Sequence, residues 1–226
     1  MEHLPKHIGI ILDGNRRYGK KHLADQLKGH NKGAEVVEQL FEWIQEFNIP
    51  QITLYAFSIE NFQRSKLEVN TLMVIMKNYF QKLISHKKLY QYKIRILGKK
   101  ELFPKDIQEI MNKIEIKTIN NKPYIVNFCM GYGGRLEIVD AVKNIIKKNY
   151  KEKEITEELL TKSMYYQEEP DLIIRTSEQR LSGFLTWHSI YSEILFLPNL
   201  FWPEFTKEIF KSCLEEYSNR QRRFGK

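Results

Sequence analysis

Residues 7–17 read His-Ile-Gly-Ile-Ile-Leu-Asp-Gly-Asn-Arg-Arg. The run His7–Leu12 is short and apolar, and Asp13-Gly14-Asn15 stops it, which is the pattern of a buried strand delivered into a turn. Downstream, Val37, Leu40, Phe41, Ile44 and Phe47 recur at the spacing of an amphipathic helix over Ala34–Phe47, ended by Pro50. Further strand-like runs follow at Ile52–Phe57, Lys93–Leu97, Tyr124–Met130, Asp171–Ile174 and Ser192–Leu197. Helical stretches are predicted near 67–86, 105–118, 135–149, 156–165 and 205–218. Such β-α alternation predicts an α/β fold, a mostly parallel central sheet of about six strands flanked by helices. No repeat, low-complexity block or Pro/Gly-rich linker divides the chain, so 1–226 is expected to be a single domain.

The composition suits a globular chain: 226 residues, 42% hydrophobic and 28% charged. No apolar run approaches the roughly 18 residues that suggest a membrane span. Met1–Pro5 has no signal-peptide character, and two cysteines make neither a disulfide framework nor a zinc cluster. A reducing cytoplasmic setting is expected. The net charge, 36 − 28 = +8, favours an anionic partner. Much of it is scattered lysine that reads as solvated surface. The arginines cluster at Arg16-Arg17, Arg175/Arg180 and Arg220/Arg222/Arg223, and their planar forks suit phosphate.

In a parallel sheet, ligands gather where strand C-termini open into loops. Four such places carry polar motifs. Asp13–Arg17 is either a capped βα turn or a cradle in which backbone N–H groups hold a diphosphate and the carboxylate holds Mg²⁺. Gly29–Gly33 opens the predicted helix, and His30 there either sits by a cap or donates to a phosphate oxygen. Ser58–Arg64 combines Ser58, Asn61 and Arg64 with the apolar Phe62. Arg175–Ser182 carries two guanidiniums and several hydroxyls on one loop, an anion-site pattern. The remaining strand end, Gly131–Arg135, is glycine-rich; Gly29–Gly33 is a helix start and not one of the four. Leu67–Ile84 is apolar on most sides, including Met73 and Met76, and so is either core or the wall of an apolar cavity.

Together HIGIILDGNRR (7–17), GHNKG (29–33), TLYAFSIENFQR (53–64), NFCMGYGGRLEI (127–138), DLIIRTSEQRLSGFLTW (171–187), YSEILF (191–196), WPEF (202–205) and RQRRFG (220–225) resemble the cis-prenyltransferases, the undecaprenyl diphosphate synthase family, most of all its archaeal members. The resemblance implies addition of isopentenyl diphosphate units in cis to an allylic starter, farnesyl or geranylgeranyl diphosphate. The product implied is a medium-length polyprenyl diphosphate, a precursor of lipid glycosyl carriers. It also implies Mg²⁺, a homodimer, and peripheral membrane association for product release. Asp13 would be catalytic, with Asn61 and Ser58 aiding proton removal. Gly14, Asn15, Arg16, Arg17 and His30 would cradle the allylic diphosphate. Arg64, Arg175, Arg180 and Ser182 would hold isopentenyl diphosphate, with Phe57, Glu60 and Phe62 beside them. Asp13 and Glu193 would be the metal ligands. Arg223 would reach across the dimer. Met73, Met76 and Tyr124 would line an apolar tunnel, Tyr124 at its floor. Departures are Gln26 in place of a frequent arginine, and an RTSEQR loop one residue short.

The five aspartates, Asp13, Asp25, Asp106, Asp140 and Asp171, nowhere come as a DDxxD pair, which argues against the trans-prenyltransferases. A non-catalytic partner subunit would lack Asp13-Gly14-Asn15. The basic residues do not interleave with aromatics, so no nucleic-acid partner is expected.

Overall fold

A computed structural model describes residues 3–220. Six parallel strands form one sheet: β1 (His7–Ile11), β2 (Gln51–Ser58), β3 (Tyr92–Leu97), β4 (Tyr124–Tyr132), β5 (Leu172–Thr176) and β6 (Glu193–Leu197), in the order β3-β4-β2-β1-β5-β6. Side-chain alternation on β1 sends Ile8 and Ile10 to one face and His7, Gly9 and Ile11 to the other. Seven α-helices lie among the described residues, beside short 3-10 turns: α1 (Asn15–His22), α2 (Lys28–Glu46), α3 (Lys66–Ile84), α4 (Lys105–Thr118), α5 (Gly134–Lys147), α6 (Glu157–Lys162) and α7 (Lys207–Asn219).

The main core lies on the Ile8/Ile10 face, where Val37, Leu40 and Ile44 of α2, Phe80 of α3, Met111 of α4 and Phe210 of α7 are buried. A smaller cluster of Ile11, Tyr55, Cys129 and Phe184 covers the opposite face. There the buried His7 ring meets the Thr53 hydroxyl at 2.8 Å and the Tyr166 hydroxyl at 3.0 Å. Burial holds its pKa down to about 4.

The strands fall within a residue or two of the sequence reading. Three differences bear on the site. Helix α1 stands where the sequence suggests a turn, because eight residues rich in Arg and Lys with a central glycine carry no apolar stripe. Helix α2 begins at Lys28 rather than Ala34, so Gly29–Gly33 lies inside its first turns. Arg175 belongs to β5 rather than to the loop after it.

The glycines of α2 explain the second difference. A Cβ on Gly29 would stand 1.9 Å from the Asn15 carbonyl oxygen, and one on Gly33 would stand 2.0 Å from Asn15 Oδ1. These two positions, one turn apart, let the start of α1 lie directly on the start of α2. Gly14, at φ 102°, supplies the left-handed residue that turns the chain from β1 into α1. β1 and β5 are neighbours whose connections leave in opposite directions, toward β2 and toward β6. The crevice beyond their C-terminal ends is the topological switch point, where open α/β sheets bind ligands.

The variant Gly29→Ala should force α1 away from α2. Overpacking of this kind costs roughly 1–3 kcal/mol, so the urea midpoint should fall. An unchanged midpoint would show that the helices can separate at no cost.

Candidate active site

Asp13 follows β1 by two residues. Three donors fix its carbonyl oxygen: the Thr176 hydroxyl at 2.6 Å, the Trp202 N–H at 2.9 Å and the Ser177 hydroxyl at 3.3 Å. Its carboxylate accepts from the Gly14 N–H at 2.6 Å and from Arg175 Nη2 at 2.9 Å, and lies 3.2 Å from Arg17 Nη2. Arg175 is buried and donates through Nη1 to the Ser182 hydroxyl at 2.8 Å and to the Arg180 carbonyl. Ser177, Ser182 and Gly183 all take positive φ, which folds this loop back over the strand end.

A second group of charges faces the first. Glu68, on the first turn of α3, is 5% exposed. Its carboxylate lies 2.8 Å from Arg64 Nη1, 3.4 Å from Arg16 Nη1 and 3.6 Å from His30 Nε2. Burial, and then the neighbouring Arg64 charge, push the His30 pKa down to about 4 against the pull of Glu68, so the ring is neutral at pH 7. A register irregularity between β2 and β4 at Phe57 and Ser58 re-aims the end of β2. The Ser58 N–H then donates to Asn61 Oδ1 at 3.1 Å, bending Ser58 and Asn61 inward.

These groups surround a cavity of about 500 Å³. Of the residues the sequence singled out, Asp13, Gly14, Asn15, Arg16, Arg17, His30, Ser58, Asn61, Arg64, Arg175 and Ser182 line it. Three buried polar atoms on it make no hydrogen bond among the described residues: Asn15 Oδ1, His30 Nε2 and Arg175 Nε. Buried polar atoms are rarely left unpaired, and a charged ligand in the cavity would complete them.

Other expectations need correction. Phe57 is core, and Phe62 packs edge-on to Phe57 and Phe103 at 4.8 and 5.2 Å, bracing the loop from behind rather than walling the cavity. Glu60 points to solvent. The Arg180 side chain is directed outward to Glu178 at 2.9 Å, and its carbonyl, not its guanidinium, serves the site. Glu193 begins β6 in register with Leu172, at the opposite end of the sheet from Asp13, and is held by Arg220 at 2.9 Å. Five residues of strand, roughly 15 Å, separate the two levels, so Glu193 does not share a metal with Asp13 of the same chain. Arg223 lies outside the described residues.

Glu68, Lys20 and Tyr55 were missed. Glu68 reads in sequence as an ordinary acidic residue of a helix first turn, and only tertiary packing buries it between two guanidiniums and the His30 ring.

Below the polar cavity, and sharing Leu12, Asn15, His30, Ala56 and Leu72 with it, an apolar cavity of about 110 Å³ runs between α2, α3 and the sheet. Val37, Ile75, Met76, Tyr79, Phe80, Phe128 and Met130 line it. Rings of Phe41, Tyr79 and Phe80 close on Phe128 at 5.3–6.5 Å and narrow the channel. A third cavity of about 330 Å³, also touching Tyr79, continues toward the far ends of α2 and α3. Met76 is therefore a channel residue, whereas Met73 is core. Tyr124 lines none of the three cavities and stacks behind Tyr92, with ring centroids 5.8 Å apart.

Among the described residues no group of three His, Cys, Asp or Glu side chains is arranged around a metal. Mg²⁺ characteristically uses one or two carboxylates, waters and substrate phosphate oxygens. Asp13, a hard oxygen ligand part-exposed on an anion cavity, fits that pattern.

Comparison with known proteins agrees with this geometry. The family described as putative undecaprenyl diphosphate synthase matches residues 11–225. A tritrans,polycis-undecaprenyl-diphosphate synthase (geranylgeranyl-diphosphate specific) of Pyrococcus horikoshii is 42% identical, covering 99% of this chain and 88% of the relative. An isoprenyl transferase of Thermotoga maritima is 41% identical over 98% of this chain and 97% of its own. The crystal structure of lavandulyl diphosphate synthase from Lavandula x intermedia, in complex with dimethylallyl diphosphate, superposes with a TM-score of 0.91, at 28% identity and 99% coverage of both chains.

The neutral state of His30 gives a signed pH dependence. The unfolded chain binds this proton near pH 6.5 and the folded one near 4, so the stabilisation is complete above about 6.5 and declines as pH falls toward 4. By pH 4.5 the loss from this group should be about 2–3 kcal/mol. In denaturant titrations at pH 7 and 4.5, His30→Gln should show a correspondingly smaller drop than wild type. Equal drops would mean that His30 is not held neutral by burial.

Proposed function

The chain belongs to the undecaprenyl diphosphate synthase family, the cis-prenyltransferases, and we propose that it adds isopentenyl diphosphate units in cis to an allylic starter of geranylgeranyl or farnesyl size. One observation carries the reading. A cationic cavity with three buried polar atoms that make no hydrogen bond adjoins an apolar channel across five shared lining residues, which suits an amphiphile with a diphosphate head and a hydrocarbon tail. Nothing in the site favours a non-catalytic partner subunit, since Asp13 and its cations are assembled. The geranylgeranyl-diphosphate specificity of the Pyrococcus relative supports that starter here. The whole chain, 1–226, acts as one domain.

Gly14, Asn15, Arg16, Arg17 and His30 hold the allylic diphosphate, and the start of α1 points backbone N–H groups at it. Arg64, Arg175 and Ser182 hold isopentenyl diphosphate. The C1–O bond of the starter breaks and the diphosphate leaves with the electron pair. The double bond of isopentenyl diphosphate supplies the electrons of the new C–C bond. The adjacent proton is then lost by way of Ser58 and Asn61; neither is basic, so an anionic diphosphate oxygen takes it. Mg²⁺, which Asp13 would hold, supplies neutralisation of the charge that builds on the departing group. Guanidiniums preset around the cavity do the same without reorganising. The channel keeps water from the allylic cation.

A second copy of the chain suits the exposed face of α5. Val139, Val142 and Ile146 form an apolar stripe there, and Ile190 stands exposed just before the edge strand β6. In such a homodimer Glu193 and Arg223 would serve across the interface. Among the described residues no helix is long and apolar enough to cross a membrane, and peripheral association would let the finished product leave.

Purified protein with labelled isopentenyl diphosphate and a panel of allylic starters should give a medium-length polyprenyl diphosphate ladder. Asp13→Ala should lower kcat by roughly 10²–10³-fold, and the melting temperature should fall as well, because the buried Arg175 loses its anion. Absence of a ladder with every starter would overturn the reading, and near-normal turnover in the variant would remove Asp13 from it.

Product length should depend on the aromatic constriction. Tyr79→Ala widens the passage from the upper cavity to the lower one and should shift products longer at similar total incorporation. Tyr124→Ala should act weakly, through Tyr92 alone. Unchanged lengths in Tyr79→Ala would place the stop elsewhere.

A further inference from the structure

The lower cavity opens at the end of the molecule remote from Asp13. Phe41, Tyr79, Leu83 and Tyr92 form its floor. Glu38 and Glu42 of α2 stand on one side of its mouth, and Lys82, His86 and Lys88 on the other. Lys82 and Glu38 pair across it at 2.6 Å, both exposed.

On the lysine side the surface has an unusual composition. Segments 84–92 and 116–123 contain four lysines, Lys87, Lys88, Lys117 and Lys122, and no carboxylate. The two segments are joined. Asn121 donates to the carbonyls of Leu89 and Tyr92 at 2.9 and 3.2 Å, and Lys117 donates to the Ile84 carbonyl at 3.0 Å. Lys113 lies one turn before Lys117. Among these lysines stand Tyr90, Ile116 and Ile119, which are 64%, 73% and 57% exposed. Glu115, the acid nearest in sequence, turns inward to Lys100 and to the Ile96 N–H. The remaining acids near the mouth, Glu38 and Glu42, lie across it on α2.

Three large apolar side chains ringed by uncompensated lysines are the features of a surface that dips into a lipid interface. The apolar groups enter the acyl boundary and the ammonium groups meet anionic headgroups. Nucleic acid would use the lysines but leave Ile116 and Ile119 in water. A second protein copy would have to bring an acidic partner surface, and the chain is basic overall.

We propose that this face docks on an anionic bilayer and presents the far mouth of the channel to it, so that a growing tail leaves the lower cavity directly into lipid. The delivery half rests on the polyprenyl reading of the channel; the docking half does not. The tail then need not fit wholly within the protein, and the diphosphate head stays at Asp13 while the far end is already in lipid.

Vesicles of phosphatidylglycerol and phosphatidylcholine in about a 1:2 ratio are compared with pure phosphatidylcholine by co-sedimentation. Wild type should bind the anionic vesicles and lose them with added salt. The triple variant Lys87→Glu/Lys113→Glu/Lys122→Glu should lower the partition coefficient by at least about tenfold. Ile116→Ser/Ile119→Ser/Tyr90→Ser should also lower it, with the charge unchanged. A control of equal net charge on another face, Lys148→Glu/Lys151→Glu/Lys153→Glu, should keep binding within about threefold of wild type. Melting curves and single-turnover incorporation without lipid should match wild type in all three. Anionic vesicles should raise steady-state turnover in wild type and not in the first variant.

Failure of wild type to prefer anionic vesicles overturns the proposal. So does equal loss in the two lysine variants, which would mean net charge alone, or loss of self-association or nucleic-acid binding in the patch variants with vesicle binding intact. Vesicle binding that follows the patch, in a protein with no incorporation activity, would leave docking standing and remove the polyprenyl reading. Patch-dependent binding without any gain in turnover would overturn tail delivery.

Discussion

A guanidinium buried at the end of β5 needs an anion, and Asp13 at the end of β1 supplies it at 2.9 Å. Breaking such a pair by removing one partner is strongly destabilising, because the other charge remains in a poor solvent. The pair therefore fixes the crevice between β1 and β5, and three hydrogen bonds on the Asp13 carbonyl carry that constraint to the loops after β5 and β6. The carboxylate, although held by Gly14, Arg17 and Arg175, remains part-exposed to the cavity. The same arrangement that locks the strands leaves a hard oxygen ligand facing incoming phosphate.

The opposite wall follows a related logic. Glu68 gathers Arg16, His30 and Arg64 from α1, α2 and the loop after β2. Without it, the guanidiniums of Arg16 and Arg64 would repel each other beside the neutral His30 ring. A diphosphate can take over part of this pairing, so the cations are placed before the ligand arrives. Preorganisation of this kind spares reorganisation when charge develops. It depends on the close contact of α1 with α2, which the glycines at 29 and 33 permit.

Head and tail are treated by different physics in adjoining cavities. The head end is defined by charge and by unpaired buried polar atoms. The tail end is defined by packing of Val37, Met76 and Phe128, and by aromatic rings whose contacts set how far the channel stays open. The helices that build the tail end also carry its outer rim, so channel bore and surface chemistry at the far mouth are coupled through α2 and α3.

The sequence by itself determined the alternation of strands and helices, the parallel sheet and the loop ends at which Asp13, Ser58, Asn61 and Ser182 stand. Those follow from local periodicity and from residues that stop a strand, which one segment carries alone. It also named most of the polar cavity, because arginine, histidine and aspartate in glycine-bearing turns advertise anion chemistry. The tertiary structure alone decided the rest. Arg180 turned outward, since its carbonyl was needed by Arg175; Glu193 fell at the wrong end of the sheet for Asp13, since parallel pairing sets it level with Leu172. Glu68 became the centre of a charge cluster and Tyr124 a residue behind the channel wall, since burial and neighbours belong to packing between distant segments. Helix α1 had no apolar stripe to reveal it, and it exists because two glycines on another helix leave room for its backbone.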